Sequence, residues 1–202
     1  MPQLDTLSAR THQPRCLGLM LVCLCLPIQA QMASATDRDM PCHETDGHVI
    51  RPHDHFQRPG QTFTIYRKST SMQGCGNLNA DKHAPNHKIA PKQPAFFLEA
   101  KGKWLLLDEG TGPDQRQLQV WNMDTGKRVW RQPYGEPASF DSDGQQLHYW
   151  MPLATQVTPT NCPNLAQYKA ADLRAQLQVK AILELRNLTS NATQERRCVP
   201  IQ

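Results

Sequence analysis

Long apolar runs and a dominant sign of charge are both missing from this sequence. Hydrophobic residues make up 39% of the 202 residues, the mean hydropathy is -0.61, and no segment after the N-terminal region is apolar enough for a membrane. Basic and acidic residues number 22 and 18, and the basic ones are spread along the chain. Nucleic acids and acidic membranes require a concentrated basic surface. The sequence therefore predicts no nucleic-acid partner and no transmembrane segment in the mature chain.

Motifs of covalent or nucleotide-dependent catalysis are also absent. The chain has no Gly-x-Ser-x-Gly nucleophile elbow and no phosphate-binding loop motif. None of its cysteines lies in a Cys-x-x-Cys pair, which disfavours a tetrathiolate zinc site. No catalytic residues are predicted on these grounds, and the balance favours a protein that is not an enzyme.

The N-terminal 35 residues have the layout of a secretory signal peptide. A charged start precedes the apolar run 16–26, and small residues follow at Ala30 and at 33–35. This order of charged, apolar and small residues is typical of an export signal, and the run is too short to span a bilayer. We expect cleavage after Ala35, with Ala30 as the alternative, and a periplasmic or secreted mature chain.

Removal of this segment leaves an even number of cysteines. Seven are present in the sequence and three precede residue 36, so 7 − 3 leaves four, at Cys42, Cys75, Cys162 and Cys198. An even set in an exported chain indicates two disulfides, for which three connectivities exist. We favour Cys42–Cys75 with Cys162–Cys198, because each bridge then joins one end of the chain to the middle of the domain without crossing the other.

Composition divides the remaining chain into an arm and a domain. Residues 36–60 are polar and rich in histidine without apolar periodicity, so we expect an extended arm. Residues 61–202 are expected to form a single β-rich domain. Its first strand is predicted at 61–67 from period-two alternation, and a long loop is predicted at 68–94 from its Gly, Asn and Pro content.

The centre of the domain is predicted to be an antiparallel meander of about five strands, because short apolar runs alternate with turn residues there. Asp124-Thr-Gly126 supplies a tight turn whose glycine takes positive φ. A short helix is expected within 163–177 and a final strand over 179–186. The predicted fold class is α+β, mostly antiparallel sheet with one short C-terminal helix and two disulfides. The predicted meander strands are 96–100, 103–108, 116–123, 127–131 and 145–150.

Two stretches of the sequence resemble known families. Residues 120–130 are similar to the outer hairpin of WD and quinoprotein-type propeller repeats, but a single match argues against a closed propeller. A wider pattern resembles a family of exported bacterial proteins whose function is not established. It combines the motif Asp108-x-Gly-Thr-Gly-Pro-x-x-Arg116-x-Leu-x-Val with the turn at 124–126. It also includes Tyr149-Trp150 and the C-terminal motif Arg-Cys-x-x-x-Gln at 197–202. That resemblance implies export but transfers no activity.

Histidines form the densest group of potential metal ligands. His43, His48, His53 and His55 fall within thirteen residues, and an extended His53-x-His55 would direct both rings to one side. Imidazole binds zinc and copper well at neutral pH. A periplasmic metal-binding protein that takes up Zn or Cu is therefore one alternative function, although solvated histidines in a polar arm give the same pattern.

Carboxylates suggest a second alternative. Asp108 and Glu109, with Asp114, could supply paired acids for the hydrolysis of a glycan or cell-wall substrate. A polar strand end before a Gly-Pro turn explains the same residues without catalysis.

The favoured interpretation is an exported, non-enzymatic binding protein that acts as an inhibitor, an immunity-type protein or an envelope adaptor. Its partner is expected to be a protein or envelope macromolecule. Exposed aromatic and arginine side chains usually anchor such contacts. The predicted binding residues are Asp108, Glu109, Arg116, Trp121 and Trp130.

Overall fold

The computed structural model describes residues 41–55, 57–79, 82–110, 112 and 116–202, all of which belong to one compact unit. The predicted signal segment 1–35 lies outside the described residues, and so does Asp114. None of the helices in the described ranges has the length and apolarity needed to cross a membrane.

Twelve strands in the described ranges form three antiparallel sheets of four strands, each a simple meander. The first sheet contains β1 (His43–Glu44), β2 (His48–Asp54), β3 (Gln61–Arg67) and β4 (His87–Ile89). The middle sheet contains β5 (Ala95–Lys101), β6 (Trp104–Glu109), β7 (Gln117–Asn122) and β8 (Lys127–Pro133). The third sheet contains β9 (Gly135–Phe140), β10 (Gln146–Pro152), β11 (Arg174–Glu184) and β12 (Thr189–Ile201).

The middle sheet is covered on both faces. Leu105 and Leu107 of β6 pack with Ile50 and Phe63 of the first sheet, and all four side chains are fully buried. The alternate residue Leu106 packs with Leu147 and other apolar side chains of the third sheet. Successive strand residues point to opposite faces, so a strand between two cores is apolar at every position. This explains the unbroken Leu105-Leu-Leu run.

Turn chemistry follows the predicted pattern in the middle sheet. β7 and β8 are joined by residues 123–126, and Gly126 adopts φ 64°, a left-handed conformation that favours glycine. Gly102 takes φ 54° in the turn between β5 and β6. Residues 120–130, which resemble a propeller hairpin, cover the end of β7, this turn and the start of β8.

Both favoured disulfides are confirmed. Cys42 is bonded to Cys75 and Cys162 to Cys198, with sequence separations of 33 and 36. The first bridge belongs to a small cluster in which Met72 packs on Val49 and Tyr66. The segment that follows β3 therefore covers the outer face of the first sheet, where the sequence predicted only a long loop at 68–94. That segment also includes β4, which pairs with β3.

Two predictions about architecture are corrected. The fold is nearly all-β and not α+β, because the one α-helix among the described residues, α1 (Leu165–Ala170), has only six residues. The prediction of an extended arm at 36–60 is wrong for 43–54, which form β1 and β2. Val49 and Ile50 are adjacent and both fully buried, since a core covers each face of the first sheet.

Predicted strands in the rest of the domain are confirmed with shifted limits. β11 begins at Arg174, where a helix was expected up to residue 177; it pairs with β12 from Arg174 onward and with β10 over 178–184. β9 and β12 were not predicted. β12 lies at the edge of the third sheet and most of its residues are exposed, so it lacks the apolar alternation of a core strand.

Candidate binding cleft

The two predicted binding carboxylates are buried. Asp108 is 2% exposed and Glu109 4% exposed, and as neighbours on β6 they point to opposite faces of the middle sheet. Asp108 accepts a hydrogen bond from Nε of Arg116 at 3.0 Å and another from the Tyr134 hydroxyl at 2.9 Å, and its second oxygen pairs with Nη2 of Arg116. The function of Asp108 in the fold is therefore to hold Arg116 in place.

Glu109 is neutralised in the same way on the other face. Nη2 of Arg131 lies 2.6 Å from one carboxylate oxygen and Nε lies 3.1 Å from the other, while the Gln119 amide also donates to this carboxylate. Trp121 donates its indole N–H to Gln119 at 2.7 Å. Both carboxylates are thus paired with arginines, and because they point to opposite faces of the sheet they do not lie side by side as a pair of acids.

Trp121 and Trp130 contribute mainly to packing. Trp121 is half-buried against the core between the first and middle sheets. Trp130 is half-buried on the opposite core and meets Tyr149 edge to face, with ring centroids 5.3 Å apart. These two tryptophans therefore stabilise the sheets, and less of their surface is available to a partner than the sequence suggested.

The four histidines predicted as metal ligands have separate environments. In the part of the chain that the structure describes, no group of three or more His, Cys, Asp or Glu side chains is arranged to hold a metal ion. His43 stacks on Phe97 with ring centroids 3.7 Å apart, and burial lowers its pKa. Nε2 of each remaining histidine meets a different atom: Oδ1 of Asp124 at 3.2 Å for His48, Oγ1 of Thr64 at 3.1 Å for His53, and Nη2 of Arg58 at 3.3 Å for His55.

His48 takes part in the contact between the first and middle sheets. Asp124, in the turn between β7 and β8, also accepts a hydrogen bond from Arg67 at 2.6 Å, which is the main cause of its lowered pKa. The backbone carbonyl of Asp124 lies 2.8 Å from Nε2 of His87. The turn that resembles a propeller hairpin is therefore docked on the first sheet through one aspartate.

A cleft of about 280 Å³ opens where the middle and third sheets meet, at the ends of several strands. Arg116 lies just before β7, Tyr134 and Glu136 lie at the passage from β8 to β9, and Gln178 belongs to β11. The end of β12 completes the wall. We call this the Arg197 cleft; it is lined by Arg116, Tyr134, Gly135, Glu136, Gln176, Gln178, Arg197, Val199, Pro200 and Ile201.

Arg197 is fixed by neutral groups. Its Nε and Nη2 donate to Oε1 of Gln178 at 2.8 and 2.6 Å, and Nη2 also donates to the backbone carbonyl of Glu136. The guanidinium carbon lies 4.1 Å from the ring centroid of Trp150, a cation–π arrangement. No carboxylate of the described residues forms an ion pair with Arg197. Burial lowers its pKa, because desolvation disfavours the charged form.

A glycine makes this arrangement possible. Gln178 is 3% exposed, and its side-chain amide occupies the space that a Cβ at Gly135 would need. Gln178 in turn donates to Oε1 of Gln176 at 3.1 Å. The absence of a side chain at Gly135 therefore permits the hydrogen bonds that orient Arg197.

Arg116, which the sequence predicted, and Arg197, which it did not, line the same cleft. Arg116 is 29% exposed and binds Glu136 at 2.9 Å as well as Asp108, and its hydrogen bonds to Asp108 raise its pKa. The only sequence signal for Arg197 was the C-terminal Arg-Cys motif, which forms part of the pattern that resembles the exported bacterial family. Nothing in the local pattern indicated that it would meet Trp150.

A second cleft, of about 440 Å³, is lined by the turn between β5 and β6, the turn between β9 and β10, and the residues that follow β11. Its lining includes Trp104, over which Nζ of Lys103 lies 4.9 Å from the ring centroid. Its lining charges, Lys103, Asp143 and Arg186, are all exposed, and no buried polar side chain supports them. The Arg197 cleft is the better candidate, because a buried carboxylate and a buried amide orient its arginines.

Comparisons with known proteins add no relative to this description. No protein-family model matches the chain, and neither the curated proteins nor the solved structures gave a match.

Proposed function

We propose that the chain is an exported, non-enzymatic binding protein that holds a protein or envelope macromolecule at the Arg197 cleft. One observation carries the proposal: Arg197 is stacked on Trp150 and oriented by buried Gln178, yet has no carboxylate partner among the described residues. Tryptophan and arginine dominate the binding energy of protein interfaces, above all where they are rigid before binding. The cleft thus offers a fixed anchor pair.

Three features support the exported location within this proposal. The N-terminal sequence has the charged, apolar and small residues in the order typical of a signal peptide, and all four cysteines after residue 35 form disulfides. Disulfides persist in oxidising compartments such as the bacterial periplasm and the exterior of the cell. The resemblance to exported bacterial proteins agrees with the same location. Within the proposal the protein acts as an inhibitor, an immunity-type protein or an envelope adaptor.

The binding function is tested with matched tryptophan variants. The tagged mature chain captures partners from an envelope extract of the producing organism, and the captured species is then titrated against purified variants. Trp150 and Trp104 are both half-buried and both lie beneath a cationic side chain, but only Trp150 adjoins the Arg197 cleft. We expect Trp150→Ala to weaken binding by about thirtyfold, the effect of a strong interface residue, and Trp104→Ala to change it little. Equal effects of the two variants would contradict the proposal.

Export is tested independently of binding. The full chain is expressed with its N-terminus intact, and the mass of the protein recovered outside the cytoplasm is measured. We expect a mature chain that begins at Thr36, or at Gln31 if cleavage follows Ala30. Recovery of the uncleaved chain from the cytoplasm, with free thiols, would contradict the exported location.

A further inference from the structure

We infer that the group bound in the Arg197 cleft is a carboxylate with an aliphatic group beside it; this inference rests on the proposed function and specifies its ligand. The hydrogen bonds inside the cleft run in one direction. Arg197 donates to Gln178, and Gln178 donates to Gln176, so the acceptor oxygens of both amides are already used. Nη1 of Arg197 and Nε2 of Gln176 have no hydrogen-bond partner among the described residues. The cleft therefore has spare donors and calls for an acceptor.

Charge selects the kind of acceptor. Arg197 is partly removed from water and has no direct ion pair among the described residues, although the nearby Glu195, which pairs with Lys180, acts on it electrostatically. A bound carboxylate would supply both a direct countercharge and two acceptor oxygens. Glu136 is the one carboxylate that lines the cleft among the described residues, and it is paired with Arg116 at 2.9 Å. Arg116 is also paired with buried Asp108, so it has two carboxylates at ion-pair distance where Arg197 has none among the described residues. The vacant anion position is therefore beside Arg197.

Apolar side chains line the cleft next to Arg197. Val199, Pro200 and Ile201, at the end of β12, line it and are partly exposed or exposed. A carboxylate joined to a short aliphatic group contacts the arginine and these apolar side chains together.

Two parts of a protein partner carry such a carboxylate: its C-terminal residue, and an aspartate or glutamate side chain. The chemistry at Arg197 is the same for both, so the experiment separates them. The probes are N-acetyl-leucine for the terminal carboxylate, N-acetyl-glutamate α-amide for the side-chain carboxylate, and N-acetyl-leucine amide as the uncharged control.

Binding is followed by NMR on the full mature chain labelled with ¹⁵N. Free-carboxylate probes should shift the signals of the Trp150 indole, the Arg197 Nε–H and the Gln176 side-chain amide in a saturable manner, whereas N-acetyl-leucine amide should not. N-acetyl-leucine should bind more tightly than the glutamate probe if the terminal carboxylate is preferred, and the reverse order assigns the site to an acidic side chain. Equal shifts with the amide probe, or none with either carboxylate, would overturn the inference.

A neighbouring arginine provides the matched control. Arg197→Gln should weaken binding of the better carboxylate probe at least tenfold, while Arg196→Gln removes the same charge one residue away and should change affinity less than twofold. Arg197→Lys keeps the charge but not the two-nitrogen fork, and should retain an intermediate affinity. The backbone spectrum of each variant verifies that the fold is intact.

The proposed binding function and the carboxylate inference can be refuted independently. If no carboxylate probe binds but partner capture still depends on Trp150, the binding function stands and the carboxylate inference is wrong. If carboxylates bind through Arg197 but the partner is indifferent to Trp150→Ala, the carboxylate site stands and its proposed use in partner binding is wrong.

Discussion

Replacement of Asp108 by asparagine should destabilise the fold and so distinguish a structural carboxylate from a catalytic one. Asp108 is 2% exposed and bonded to both Arg116 and Tyr134. The substitution keeps the shape and one acceptor oxygen but removes the charge that balances Arg116. Catalytic carboxylates commonly lower stability, so their neutralisation is neutral or stabilising. A carboxylate that holds a buried ion pair has the opposite effect.

The expected magnitude follows from the burial of the two partners. Removal of one member of a fully buried ion pair costs about 3–5 kcal/mol. Here Arg116 is 29% exposed and keeps its 2.9 Å contact with Glu136, so we expect the lower cost of about 2–3 kcal/mol. For a domain of this size that corresponds to a decrease in Tm of about 4–12 °C.

Urea denaturation followed by tryptophan fluorescence measures this free energy of unfolding. Asp46→Asn is the matched control, because Asp46 is exposed and its side chain forms no hydrogen bond or ion pair among the described residues. It should change stability by less than about 0.5 kcal/mol. If Asp108→Asn were as stable as the wild type or as Asp46→Asn, the structural assignment of Asp108 would be refuted.

Three further predictions concern stability and the orientation of the cleft. The double variant Cys162→Ser/Cys198→Ser, which opens a loop of 36 residues, should lose about 4 kcal/mol in urea denaturation, and a loss below about 1 kcal/mol would count against the chain-entropy estimate. The pKa of Asp124 is lowered in the folded state, so its charge stabilises the fold above the ordinary value of 3.8 and this contribution is lost as the pH falls through the folded value. Asp124→Asn should therefore be less stable than the wild type at about pH 6, and the difference should shrink as the pH falls below 3.8; a constant difference would argue against the arginine contact as the cause. Gly135→Ala should displace the Gln178 amide and weaken carboxylate binding about tenfold in the NMR titration, and unchanged affinity would show that this amide does not orient the cleft.

Local chemistry predicted the strands of the middle sheet and their turns. The alternation of β3 and the glycine after Asp124 follow from side-chain period and backbone conformation, which the sequence contains directly. The disulfide pairing was also predictable, since four cysteines allow few connectivities. β2 and β12 were missed for opposite reasons: a cover on each face of the first sheet removed the alternation of β2, and exposure at a sheet edge removed the apolar residues of β12.

Most of the site could not be predicted from local sequence patterns. Arg197 meets the backbone of Glu136 across 61 residues of chain, and the Gln178 amide reaches Gly135 from two strands away. These contacts join strands of the third sheet that lie far apart in the sequence, so they depend on strand order and register. Arg116 was predicted for its chemical type. Asp108 and Glu109 were predicted as binding residues, but they are buried, which charged residues rarely are unless they are paired, and each has an arginine partner.

Hydrogen exchange of the mature chain, measured with and without its captured partner, tests the central claim most directly. The account predicts that the partner slows amide exchange at the strand ends that line the Arg197 cleft, at 134–136, 176–178 and 197–201, and leaves the second cleft at 102–104 and 185–186 unchanged. Protection confined to the second cleft or to the first sheet would contradict it.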